Sequence, residues 1–227
     1  KCGRRIQPHL NEGYTPERLR KHVEDSLSNL GLGQIDLIQL HCPPSEVYKR
    51  DEIFSLFEDL KKEGKIAEMG VSVERIDEAI GAMEYEVVST VQVIFNLFRQ
   101  KPIEQLFPLA EAKNVGLIIR VPLASGLLSG KITPSTIFQK DDHRFFNREG
   151  KAFDKGETFS GVPLENAFPA LEELKGYFAD DHNLAAQALR WILMFKQVGT
   201  VIPGASSVDQ VEKNIRASQL PPLSPHQ

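Results

Sequence analysis

Cysteine is scarce: Cys2 and Cys42 are the two in 227 residues, and neither sits in a metal-ligand spacing. That scarcity excludes a disulfide scaffold and a cysteine metal centre, and it fits a reducing compartment. Net charge is small, at -4, which argues against nucleic acid or an anionic membrane as the main partner. No apolar run approaches the roughly 20 residues needed to cross a bilayer, and the opening KCGRRIQPHL lacks the hydrophobic stretch of a signal peptide. These absences predict a soluble, cytoplasmic protein without nucleic-acid, membrane or metal partner. Also missing is a Gly-x-Gly-x-x-Gly that opens a helix after a strand, so a Rossmann dinucleotide site gains no support.

What the chain does contain is alternation. TPERLRKHVEDSLSNLG reads as a helix, with Thr15 as cap, Pro16 in the first turn, Leu19, Val23, Leu27 and Leu30 on one face, and Gly31 as terminator. The apolar run IDLIQLH follows as a strand. The pattern then repeats: helix DEIFSLFEDLKKEGK, strand AEMGVSV, helix ERIDEAIGAME, strand TVQVIFNL, helix PIEQLFPLAEAKNVG and strand LIIRVPL. After a break come the helix NLAAQALRWILMFK, the strand GTVIPGA and the helix SVDQVEKNIRAS. KCGRR reads as the tail of one more strand. Such alternation implies right-handed crossovers and a parallel sheet, and both an open doubly wound sheet and a closed (β/α)8 barrel accommodate it.

Residues 132–165 interrupt the rhythm. They are rich in charge, glycine and phenylalanine and lack either periodicity, as expected of a lid, binding loop or mobile insertion. A short helix inside the segment is compatible with its composition.

The strand IDLIQLHCPP stops abruptly. Pro43 and Pro44 cannot extend a ladder, so His41 falls at the C-terminal end of a buried strand. In parallel α/β folds that edge is where sites are built. On this strand alone a hydrogen-bonded rim histidine is the commoner outcome.

Taken together, the strand ends resemble the aldo-keto reductase family across essentially the whole chain. LGLGQIDLIQLHCPP, GVSV, VQVIFNLF, VPLASGLLSGK, ALRWIL and VIPGASSVDQVEKN appear in the family's order and spacing. The arginine in RVPLASG is similar to that of bacterial-type members. The resemblance implies a (β/α)8 TIM barrel that binds a nicotinamide cofactor without a Rossmann motif. Residues 1–227 would form one barrel domain, running from the end of strand 3 to the C-terminus, with 132–165 as a long loop over the cofactor site. A barrel that starts at its third strand leaves strand edges open. Residues before Lys1, or another segment, are therefore expected to supply the first strands, together with the family's catalytic tyrosine and aspartate.

Residue by residue, the resemblance implies that His41 orients the substrate carbonyl and that Lys1 is the catalytic lysine ending the third strand. Hydride transfer to a carbonyl leaves negative charge on oxygen, so a proton donor and an oriented imidazole lower the barrier. Ser72 and Gln92 match residues that hold the nicotinamide carboxamide, with Val73 where the family usually has asparagine. Arg120 stands where many members stack an aromatic ring on the nicotinamide face, and a planar guanidinium can also stack. Pro122, Leu123, Ser125 and Gly126 form the turn that presents amides to the pyrophosphate. Lys131 and Arg144 match basic residues for the adenosine 2'-phosphate, although either also suits a solvated surface. Gly204, Ser206, Gln210 and Asn214 match contacts to the adenosine end, and Lys213 replaces the usual glutamate. The implied function is NADPH-dependent reduction of small aldehydes or ketones by a monomer or small homo-oligomer. The competing expectation is an NADPH-binding regulatory or interaction module on the same scaffold.

Overall fold

The computed structural model describes residues 1–178 and 183–224. The chain forms two compact units, one of residues 1–93 with 102–117, the other of 94–101 with residues from 118 onward.

The first unit is built of alternating helices and strands. Helix α1 spans Pro16–Leu30, capped by the Thr15 hydroxyl accepting from the Arg18 amide at 3.4 Å and closed by Gly31 in the left-handed region at φ 65°. Strand β1 (Ile35–His41), helix α2 (Asp51–Lys62), strand β2 (Ile66–Ser72), helix α3 (Ile76–Ala82), strand β3 (Val88–Ile94) and helix α4 (Pro102–Ala112) follow. The strands run parallel in chain order, with β1 on β2 and β2 on β3. Ile38, Leu40, Met69, Val71 and Val91 from the strands are buried, as are Leu19 and Val23 of α1 and Ile53, Phe54, Phe57 and Leu60 of α2. Each such side chain contributes about 1.5–3 kcal/mol on burial. Leu30 departs from the expected apolar face: it is 61% exposed, because it lies in the last turn where α1 runs out into solvent. The KCGRR segment makes a single parallel bridge, Cys2 to Leu40, instead of a full strand.

Gly70 marks a tight place in this sheet. The β2–β3 register shifts between Met69 and Gly70, and a Cβ added at Gly70 would lie 2.0 Å from Thr90 Oγ1 and 2.8 Å from the Thr90 carbonyl oxygen. Backbone there cannot swing aside as a side chain can. Gly70→Ala is expected to lower stability by about 1–3 kcal/mol, as overpacking does. A urea melt with an unchanged midpoint would refute this.

The second unit continues from strand β4 (Gly116–Arg120) through helix α5 (His143–Phe146), helix α6 (Leu164–Tyr177), helix α7 (Leu184–Ile192), strand β5 (Val198–Val201) and helix α8 (Val208–Ala217). The Ile202 amide donates to the Ile119 carbonyl at 2.9 Å, which joins the end of β5 to β4. Leu127, Leu128, Phe159, Ala167, Leu171 and Ala188 form its main buried cluster. Trp191 stacks on Phe95 at 5.0 Å and meets Phe195 edge-on at 5.0 Å. It is the chain's one tryptophan, so its fluorescence reports on this unit.

Three strands end earlier than expected, β5 stopping at Val201 before the IPGA stretch. β4 stops at Arg120 because Val121 takes φ 51° and Pro122 has no amide to donate. β3 stops at Ile94, where the chain turns so that Asn96 bridges Arg99 in antiparallel sense. The 132–165 segment holds α5 and two 3-10 turns, Lys155–Glu157 and Phe159–Gly161.

Candidate functional site

In the first unit the sheet register places His41, Ser72 and Gln92 side by side, His41 and Ser72 at the C-terminal ends of β1 and β2 and Gln92 two residues before the end of β3. The His41 amide donates to the Cys2 carbonyl at 2.9 Å, which sets Lys1 beside this row. The Lys1 ammonium donates to Gln92 Oε1. The Ser72 hydroxyl donates to the same oxygen at 3.3 Å, and Gln92 Nε2 donates to Gln39 Oε1 at 3.1 Å. Gln39, Ser72 and Gln92 are all buried, and the hydrogen bonds they share satisfy most of this polar line, although the buried Gln39 Nε2 has no partner among the described residues. Gln39 was not among the expected site residues. A polar residue two positions before His41, within the apolar run of β1, shares its face and was the available signal.

Tyr48 donates its hydroxyl to the Ser72 carbonyl at 2.8 Å and braces the end of β2. Tyr14 donates to the Gly3 carbonyl at 3.1 Å. Burial pushes both phenols above the ordinary tyrosine range. Burial, then the hydrogen bond to Asp51, takes Tyr85 up to about 12. Burial likewise pushes the Cys2 thiol up to about 12, so it stays an unreactive thiol.

The second unit contains a cavity of about 1160 Å3. Pro122, Leu123, Ser125 and Gly126 from the turn after β4, Lys131 and Arg144 from the following loop, and Gly204, Ser206, Gln210 and Asn214 from the start of α8 all line it. Val121, Glu157, His143, Phe153 and Lys213 line it as well. Arg120 lies just outside, at the end of β4, and is 8% exposed. Its guanidinium donates to Glu157 in the cavity wall.

The turn after β4 is held in an unusual conformation. Val121, Ala124 and Ser125 have φ of 51°, 49° and 55°, and Gly126 has φ 97°. Left-handed non-glycine residues each cost on the order of 1–3 kcal/mol and persist only where surroundings over-determine them. Here Asn96, fully buried, donates from Nδ2 to the Val121 carbonyl at 2.8 Å and to Ser160 Oγ at 2.7 Å, while its Oδ1 accepts from the Phe98 and Arg99 amides. The Ser125 hydroxyl donates to the Glu157 carbonyl at 2.7 Å and accepts from the Phe159 amide at 3.3 Å. Residues 157–160 thus strap the turn in place. Asn96 and Glu157 carried no sequence signal, since their partners lie 25 to 64 and 37 positions away.

Around the cavity the cations differ in how committed they are. Arg144 is fixed on Asp142 through Nε at 3.0 Å and Nη2 at 2.6 Å, and its guanidinium lies 4.6 Å from the Phe138 ring centre. The Arg144 hydrogen bonds hold the Asp142 carboxyl down at about 2. The pair is intact above the ordinary value of 3.8 and is lost only as pH falls through about 2. Lys213 pairs with Asp209 one helical turn away, at 2.8 Å and exposed. Lys131 is exposed, and its ammonium has no carboxylate partner among the described residues. At the start of α8, the Ser207 hydroxyl accepts from the Gln210 amide at 3.3 Å, and Gln210 Oε1 accepts from the Ser206 amide at 2.7 Å. This fixes the helix terminus whose dipole favours an anion.

These features fit a dinucleotide. The cavity exceeds the ~300–1,000 Å3 usual for small-ligand pockets. It joins a glycine-containing turn, a capped helix N-terminus and a cluster of cations, the donor set a pyrophosphate and a further phosphate require.

The Aldo/keto reductase family profile matches residues 1–227, and the chain belongs to that family. Its fold is α/β, of the (β/α)8 barrel class, as in solved aldo-keto reductases. An aldo-keto reductase from Bacillus halodurans, solved in its holo form, superposes with a TM-score of 0.71 at 28% identity, covering 93% of this chain and 65% of the other. The uncharacterized oxidoreductase YqkF of Bacillus subtilis is 30% identical over 88% of this chain and 60% of its own length. Human aflatoxin B1 aldehyde reductase member 4 is 27% identical over 99% of this chain and 72% of its own. The chain spans 53–60% of the length of three of the curated relatives it matches.

Proposed function

We propose that the chain carries the NADPH-binding and carbonyl-orienting part of an aldo-keto reductase that reduces small aldehydes or ketones to alcohols. One observation carries this reading: ten cofactor positions implied by the sequence, drawn from three separate stretches, line a single cavity of the second unit. The bound cofactor supplies the hydride. The turn from Pro122 to Gly126 takes the pyrophosphate and Lys131 the 2'-phosphate, with Arg144, paired to Asp142, lining the same cavity. Gly204, Ser206, Gln210 and Asn214 take the adenosine end. Ser72 and Gln92 take the carboxamide, and Arg120 faces the nicotinamide. His41 donates to the carbonyl oxygen, where negative charge develops, and the Lys1 ammonium adds its field. Residues 1–227 act as one barrel domain, with 132–165 over the cofactor. The buried, unbridged Cys2 and Cys42 suit a cytoplasmic setting, as a monomer or small homo-oligomer.

An absorbance assay of NADPH consumption against a panel of aldehydes and ketones tests this, and oxidation with none of them argues against it. A second reading, an NADPH-binding regulatory module, draws on the tyrosines. Tyr14, Tyr48 and Tyr85 donate their hydroxyls to Gly3, Ser72 and Asp51 and are held protonated. Tight NADPH binding with negligible turnover would select it.

Lys131→Ala is expected to weaken NADPH binding by about tenfold, the loss of one charge-assisted contact, with NADH affinity changed by less than about twofold. Quenching of Trp191 fluorescence measures both. Equal losses would remove Lys131 from the 2'-phosphate.

A further inference from the structure

Glu157 is the carboxylate that the cofactor reading leaves without a purpose. It sits in the wall of a cavity assigned to a ligand with several negative charges, where an anion is a liability unless it is neutralised. Arg120 neutralises it: the two side chains form a close pair, with the arginine side chain 10% exposed and the glutamate 23%. The backbone of Glu157 is also engaged, because its carbonyl accepts from Ser125 Oγ at 2.7 Å. One residue therefore grips the end of β4 through its side chain and the turn after β4 through its main chain.

Resting on the NADPH reading above, we propose that Glu157 is a positioning residue that fixes the Arg120 guanidinium as the platform for the nicotinamide ring. An arginine differs from the aromatic ring it replaces in having a long, flexible stem and a charge. Left alone beside a pyrophosphate, it would turn to the phosphate oxygens and leave the ring unsupported. A carboxylate at its Nη1 holds the plane and balances the charge at once. Arg99 pairs with Asp154 at 3.3 Å nearby. The Lys155–Glu157 turn is held by the Asp154 side chain accepting from the Gly156 amide at 2.8 Å, which presents Glu157 at a fixed place.

The test compares two probes on the intact chain, NADP+ and adenosine 2',5'-bisphosphate, which lacks the nicotinamide half. With Glu157→Gln, NADP+ affinity should fall by about tenfold while that for the bisphosphate changes by less than about twofold. In an Arg120→Met background the same substitution should have no further effect on NADP+, since the partner it positions is gone. Arg120→Met alone should lose as much NADP+ affinity as Glu157→Gln. Equal weakening of both probes by Glu157→Gln would show a general role in holding the turn and overturn the proposal. Tighter binding of both would show an electrostatic brake and overturn it too. So would additive effects in the double variant. Failure of the unmodified chain to bind either probe would instead remove the cofactor reading itself, and the two failures are thereby separated.

Discussion

Gly126→Val is expected to weaken NADPH binding by about a hundredfold or more while the fold survives. Gly126 has φ 97°, a conformation that a β-branched residue reaches only at a cost of a few kcal/mol. The added Cβ would also meet Ile132 Cδ1 at 3.4 Å and Arg144 Nη1 at 3.7 Å, both facing the cavity. The backbone would relax out of the left-handed region, and with it would go the amide directions of the turn. Because Leu127 and Leu128 anchor the following segment in a buried cluster, the damage stays local. Calorimetric titration with NADPH, with a circular dichroism melt as control, reads the outcome. Unchanged affinity would show that the turn does not meet the cofactor.

His41→Ala is expected to lower carbonyl turnover by about 10²–10³-fold, the usual loss of one oriented donor at a developing oxyanion. NADPH affinity should change little, since His41 belongs to the first unit's strand-end row and none of the cavity of the second unit is formed by it. The effect should fall mainly on kcat, because the donor matters most when the oxygen carries charge. Steady-state kinetics beside an NADPH titration separate the two. Unimpaired turnover would reduce His41 to a rim histidine held in the ladder through its amide to the Cys2 carbonyl.

The parts of the fold that were legible in the sequence were those governed by local rules. Alternating apolar runs and caps located β1 to β5 and α1 to α4, α7 and α8, because period and capping act over a few residues. His41 at the end of its strand followed from the same rules, since it closes an apolar run, whereas Ser72 and Gln92 were singled out only by the family resemblance. What the sequence did not disclose depends on contacts between distant positions. Asn96 looks like any asparagine after a strand, yet it ties together Val121 and Ser160. Glu157 lies in a stretch without periodicity, and only folding brings it to Arg120. The early end of β4 was also hidden, because RVPL is as apolar as a strand while Val121 is held left-handed by partners far along the chain. Arg144 was expected either at the 2'-phosphate or on a solvated surface, and its closure onto Asp142 shifts the proposed phosphate contact towards Lys131.

The most direct test is calorimetric titration of the purified chain with NADPH and, in parallel, NADH. The account predicts saturable, one-to-one binding of NADPH, tighter than that of NADH, with the difference removed by Lys131→Ala. Absence of saturable heat with either nucleotide would contradict it.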